Sequence, residues 1–184
     1  FLNVNFVVVM EENVKAIKRN ILIFASALAL IGLDQLFKWL AIRFLSDVQT
    51  FPLIDGVFHL TYVENRGASF GIFQGNRLFL IVFTSVLLLA LIVAVIKNWL
   101  KHPILWWAAA LFLGGGIGNL IDRVFRHFVV DYLDFCLIHF AVFNFADCCV
   151  VIATALVMIY IIFFMEKKEK QLTESAVSEE SGDE

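Results

Sequence analysis

Hydrophobic residues in this chain come in long unbroken runs, not in the alternating or three-and-four spacing of a water-exposed fold. Four runs have the length a bilayer core requires, about 20 residues of helix: residues 21–45, 78–96, 104–121 and 145–165. The second carries no charge, and the first is interrupted late by Asp34 and Lys38. The pattern predicts four transmembrane helices, because continuous apolar segments satisfy their backbone groups in lipid only as helices, whereas a barrel needs alternating strands. Two longer connections, at about 46–77 and 122–144, separate the runs. Within them, residues 57–63, preceded by the turn residues Pro52, Asp55 and Gly56, read as a strand, and residues 128–135 as another. The predicted fold class is a mainly α membrane protein, with four transmembrane helices and a small extracytoplasmic β-sheet, or cradle, on the helix ends.

Charge sets the orientation. Lys15, Lys18 and Arg19 precede the first run, Lys97 and Lys101 join the second to the third, and Lys167, Lys168 and Lys170 follow the fourth. The opposite connections are longer yet hold only Arg43, Arg66, Arg77, Arg123 and Arg126. The excess of basic residues on cytoplasmic loops then puts both termini in the cytoplasm and both long connections outside. Residues 1–20 become a cytoplasmic N-terminal segment, 21–165 the membrane domain, and 166–184 a cytoplasmic tail with the acidic, Ser-containing, aromatic-free composition of disorder. Residues 1–9 read as an apolar prelude outside the functional unit, with Met10-Glu11-Glu12-Asn13 the more natural beginning. No small-residue cleavage signal follows the first run, which is therefore a retained helix.

Composition narrows the function. The chain of 184 residues is 61% hydrophobic and 17% charged, with a mean hydropathy of +0.86, against about 45–50% apolar residues in soluble domains. A net charge of −3 without a basic stripe excludes nucleic-acid binding. Cys136, Cys148 and Cys149 form no disulfide framework and read as small hydrophobes. His59, His102, His127 and His139 are scattered, with no metal-ligand spacing, so neither metal nor cofactor is expected.

Polar residues inside or beside the runs recur at helical spacing. Asp34 and Lys38 are four apart; Asn119 and Asp122, like Asn144 and Asp147, are three apart. Each pair shares a helix face, and the topology puts all three at outer helix ends, with Asp131 arriving from the outer connection. Each has a structural reading too: Asp34–Lys38 as an ion pair joining helix ends, Asn119, Asp122 and Arg123 as caps or cross-links, Asn65-Arg66-Gly67 as a turn in which Asn65 can also hold a peptide backbone. Gly114, Gly115, Gly116 and Gly118 serve close helix packing and not a phosphate loop, since no strand precedes them and no Lys-Ser/Thr follows. His-Glu-x-x-His and Gly-x-Ser-x-Gly are absent. Carboxylates at a bilayer edge are expensive and mark functional sites; two that converge share a proton and perform acid–base chemistry.

Five segments together resemble, in order, the motif blocks of the lipoprotein signal peptidases (signal peptidase II). These are Asp34-Gln35-Leu36-Phe37-Lys38, Glu64-Asn65-Arg66-Gly67-Ala68-Ser69-Phe70-Gly71, Gly118-Asn119-Leu120-Ile121-Asp122-Arg123, Val129-Val130-Asp131-Tyr132 and Phe143-Asn144-Phe145-Ala146-Asp147. The resemblance implies an aspartic endopeptidase of the bacterial inner membrane that removes signal peptides from prolipoproteins, cutting before the diacylglyceryl-modified cysteine. It implies Asp131 and Asp147 as catalytic residues, with Asp34, Lys38, Asn65, Gly67, Asn119, Asp122, Arg123 and Asn144 binding substrate or supporting the dyad. It implies membrane lipid as surroundings, globomycin-type inhibitors as ligands, and a monomer with its site near the outer face. Ala153 departs from the family's frequent Gly, and the connection between the two catalytic aspartates is short. One carboxylate would activate water while the other polarises the scissile carbonyl; which does which is left open by the sequence. Gly67, Gly71 and Gly75 would let the first outer connection move as a lid. A small transporter or proton channel and a non-catalytic assembly factor are the rival readings. The absence of an internal repeat, and polar pairs near one surface and not at mid-membrane, speak against the transporter.

Overall fold

A computed structural model describes residues 2–67 and 75–165, with side chains from Val9 onward. Residues 68–71 of the second motif, Gly71 of the lid and the acidic tail lie outside the described residues. Helix α1 spans Leu2–Leu45, α2 Arg77–Ile96, α3 Pro103–Phe125 and α4 Phe145–Tyr160, which continues as a wider π turn over Ile161–Met165. All four are long and apolar enough to cross a membrane. Between α1 and α2 run strands β1 (Thr50–Ile54) and β2 (Phe58–Asn65); between α3 and α4 come β3 (Val129–Asp134) and a 3-10 turn, Cys136–Ile138.

Helix α1 begins well before the apolar run that starts at residue 21. No Gly or Pro occurs before Gly32, and Glu11 and Lys15 pair one turn apart at 4.0 Å, so the helix runs through its polar stretch into the apolar one. Helix α3 opens on His102, whose Nδ1 accepts from the Ile104 amide (3.3 Å), with Pro103 at the first helical position, where its missing N–H costs nothing. Helix α4 opens on a capping box: the Asn144 side chain accepts from the Asp147 amide while the Asp147 carboxylate accepts from the Asn144 amide.

The helices gather around α3 through its glycines. A Cβ at Gly114 would meet Leu30 of α1 at 2.6 Å, one at Gly116 would meet Leu88 of α2 at 2.8 Å, and one at Gly115 would fall on the Ala146 carbonyl of α4. Three successive glycines thus serve three different neighbours, as close packing in lipid favours. Ile23 and Ala27 of α1, Leu88 and Val95 of α2, and Ala109, Ala110 and Leu113 of α3 form the resulting core.

The three strands form one antiparallel sheet in the order β1-β2-β3. Strand β1 was not expected, because Pro52 read as a turn residue. At a sheet edge Pro is tolerated, since its missing N–H faces no partner strand. Val130 and Tyr132 of β3 pack on Ala41 and Leu45, seating the sheet on the C-terminal end of α1. The same end of the bundle holds the N-terminus of α4, so β3 and α4 deliver their side chains to one place.

Alanine substitution tests the glycine contacts. Gly115→Ala and Gly118→Ala meet a backbone carbonyl and the Asp34 carboxylate, and each is expected to destabilise the protein by about 1–3 kcal/mol. Gly116→Ala meets only the tip of a leucine, and Gly32→Ala meets nothing within 4 Å. Thermal unfolding in detergent should rank the first two well below the last two.

Candidate active site

Lys38, Asp34 and Asp122 are all fully buried. The Lys38 ammonium donates to Asp34 Oδ2 at 2.9 Å and to Asp122 Oδ2 at 3.0 Å. A second cation balances the second carboxylate: Arg126 pairs with Asp122 and donates to Gln35 Oε1 at 2.8 Å. Gln35 Nε2 in turn donates to the Gly118 carbonyl (3.2 Å) and to Asp122 Oδ1 (3.3 Å). Gly118 has no Cβ because one would strike Asp34. The remaining lone pairs reach across the fold. Asp34 Oδ1 accepts from the Ala146 amide of α4 at 3.1 Å, and Asp122 Oδ2 from the Val130 amide of β3 at 3.1 Å. The ion set therefore holds both elements that carry the remaining aspartates.

Three amides hold Asp131 and Asp147, two of them (Asn119 and Asn144) linking the aspartates to the ion set, and the orientation of each is forced. Asn119 Oδ1 accepts from Lys38 Nζ at 2.7 Å, so its Nδ2 is the end that donates to Asp147 Oδ1, at 2.8 Å. Asn144 Oδ1 accepts from the Asp147 amide at 3.0 Å, so its Nδ2 donates to Asp131 Oδ1 (2.6 Å) and Asn119 Oδ1 (3.2 Å). Asn65 Oδ1 accepts from the Gly67 amide at 2.9 Å, so its Nδ2 donates to Asp131 Oδ2, also at 2.9 Å. An ammonium and a backbone N–H can only donate, which removes the usual ambiguity of amide orientation. The Asn144 backbone amide adds a second donor to Asp147, on Oδ2 at 3.1 Å. Arg123 closes the rim, donating to the Asn119 carbonyl at 3.3 Å and the Gly67 carbonyl at 3.2 Å.

Burial, reinforced by the negative charge of Asp147, raises the Asp131 carboxyl to about 7, against the lowering donors Asn65 and Asn144 and the Lys38 charge. Asp147, Asn119 and Arg123 also line one end of a groove of about 450 Å³ between α2, α3 and α4, whose remaining wall includes Leu87, Leu91 and Val150. The arrangement suits proton transfer at the head of an apolar slot.

All ten residues singled out in the sequence meet in this network. Three more belong to it. Gln35 and Arg126 bridge the ion set, and the Tyr132 hydroxyl accepts from the Phe145 amide at 3.2 Å. Gln35 and Tyr132 lie inside quoted motifs, and Arg126 stands one helical turn beyond Asp122, a spacing that signals an ion pair.

The sequence model of the family described as signal peptidase (SPase) II matches residues 26–163. The chain belongs to the signal peptidase II family. A lipoprotein signal peptidase of Clostridioides difficile (strain 630) is 47% identical over 140 residues, covering 75% of this chain and 93% of the relative. One from Brevibacillus brevis is 39% identical over 145 residues, covering 79% and 96%. A solved bacterial membrane enzyme superposes with a TM-score of 0.72 at 29% identity, covering 79% of this chain and 90% of that one. As a member of signal peptidase II, the chain is a multi-pass membrane protease that processes prolipoproteins.

Lys38→Met leaves Asp34 and Asp122 buried beside an uncharged side chain, which should cost about 3–5 kcal/mol. Thermal unfolding in detergent checks this; an unchanged midpoint would count against the ion set as the tie between α1, α3, β3 and α4.

Proposed function

We propose that Asp131 and Asp147 are the catalytic dyad of this peptidase, hydrolysing the bond just before the diacylglyceryl-modified cysteine of a prolipoprotein. The observation that carries this is the shared amide of Asn144, which donates to Asp131 while its oxygen and backbone N–H hold Asp147. One residue thereby sets the separation of the buried Asp131 carboxylate and the half-buried Asp147 carboxylate, which cannot both ionise cheaply.

The environments divide the roles. Both carboxylates take N–H donors on both oxygens, but only Asp147 sits in the first turn of a helix, α4, where the helix dipole favours negative charge. It is the base that removes a proton from water. Asp131 keeps the shared proton, polarises the scissile carbonyl and protonates the leaving amine. Asn65, Gly67, Asn119 and Arg123 hold the substrate backbone at the rim, while the apolar groove takes the lipid-modified, hydrophobic part of the substrate. Asp34, Lys38, Asp122 and Asn144 position the dyad. Residues 21–165 form the peptidase domain of a bacterial inner-membrane protein that acts as a monomer. Both termini, including residues 1–20 and 166–184, are cytoplasmic, and the dyad lies near the outer face. Globomycin-type inhibitors bind at the dyad.

Purified protein in detergent should cleave a diacylglyceryl-modified prolipoprotein before its lipidated cysteine. Asp131→Asn and Asp147→Asn should each lower the rate by about 10²–10⁴-fold or more; wild-type rates in either variant would remove that residue from the chemistry.

The Asp131 carboxyl also fixes a pH dependence. With its folded value raised from 3.8 to about 7, the singly protonated dyad is lost as pH rises, so kcat/KM should fall on the alkaline side near pH 7. Between those two values the folded state binds the proton more tightly than the unfolded chain. The group's contribution to stability is complete below 3.8 and is lost as pH rises through about 7. Unfolding midpoints across this range should decline in wild type and more shallowly in Asp131→Asn.

A further inference from the structure

The histidines and cysteines, scattered along the sequence, do not stay scattered in the fold. His59 of β2 and Asp134 of β3 are direct partners across the sheet, and Cys136 follows at the start of the 3-10 turn. Their ligand atoms, one from each, lie within 4.8 Å of one another. The proposed hydrolysis uses none of them.

Two features go beyond proximity. His59 Nε2 is buried with no hydrogen-bond partner among the described residues, a state native folds rarely leave uncompensated. Asp134 is already oriented: Thr61 Oγ1 donates to its Oδ2 at 2.8 Å, the kind of outer contact that aims a metal-binding carboxylate. The surrounding frame is held by the Leu137 amide on the Val57 carbonyl at 3.4 Å and by the Phe58 and Phe135 rings, 4.8 Å apart.

We propose that His59, Asp134 and Cys136 form a binding site for a zinc-class divalent cation on the outer sheet, with water completing its coordination. Imidazole and thiolate together select borderline-soft metals over magnesium or calcium, and three protein ligands leave an open position. Bonds of about 2.0–2.3 Å set tetrahedral donors roughly 3.5 Å apart, so closure from the observed spacing needs side-chain rotation on the order of 1 Å. Binding exchanges the Cys136 thiol proton for the metal and releases it to solvent. Because β3 carries Asp131 three residues before Asp134, a bound cation pins to β2 the strand that presents one of the dyad carboxylates.

Cobalt(II) serves as the spectroscopic probe on the full-length protein in detergent. One equivalent should produce thiolate-to-cobalt charge-transfer absorption, displaced by zinc. His59→Ala, Asp134→Ala and Cys136→Ser should each weaken binding by at least about tenfold, and Cys136→Ser should abolish the absorption while retaining metal-free cleavage of prolipoprotein. Cys148→Ser and Asp131→Asn should bind as wild type does. Absence of the band at stoichiometric cobalt, its survival in Cys136→Ser, or its loss in Cys148→Ser would each overturn the site. Loss in Asp131→Asn would do the same, by moving the metal to the dyad.

Discussion

The Lys38 ammonium is the interaction on which the rest of the site depends. It has three N–H donors and uses them on Asp34, Asp122 and Asn119, all within 3.0 Å. Each acceptor passes the constraint onward: Asp34 to the first turn of α4, Asp122 to the start of β3, Asn119 to the Asp147 carboxylate. A buried ion set of this kind is weak grounds for net stability, because desolvation offsets most of its attraction. What it supplies here is arrangement. Any other packing of α1, α3, β3 and α4 would strand a charge in a medium that cannot solvate it.

Position in the bundle converts that arrangement into chemistry. The carboxylates sit where helix ends meet a sheet, so backbone amides from a strand and a helix start are available as donors. Deeper in the bundle those groups would be consumed by intrahelical bonds. The adjoining groove is lined mainly by apolar side chains, with Asn119, Arg123 and Asp147 among its polar ones, which under the proposed function would separate the part that holds a hydrophobic substrate from the part that reacts. The glycines of α3 make both features possible, since larger residues would push Asp34 and α4 away from it.

Where sequence and structure part, the cause is local rules meeting tertiary context. Helix α1 extends well before the apolar run because nothing between residues 2 and 31 breaks a helix; hydrophobicity marks a lipid-facing length, not a helix end. Strand β1 escaped notice because Pro52 signals a turn unless a neighbouring strand makes it an edge. Cys136 resembled a filler hydrophobe because only the pairing of β2 with β3 brings His59 beside Asp134 and the turn that carries Cys136, and no local spacing records that pairing.

The sequence by itself determined the four spans, the presence of a small sheet between them, and the polar pairs Asp34–Lys38, Asn119–Asp122 and Asn144–Asp147. All of these follow from short-range periodicity and from the cost of polar groups in lipid. The motifs also singled out ten residues that the fold gathers into one hydrogen-bonded network. Only the tertiary structure decided how those residues are connected: which donor the side-chain oxygen of Asn119, Asn144 and Asn65 faces, and therefore which carboxylate each amide nitrogen serves. Those orientations are fixed by donors distant in sequence or by backbone turns formed only on folding. Hydrogen-bond direction is a property of three-dimensional neighbours, and residue spacing along a helix cannot encode it.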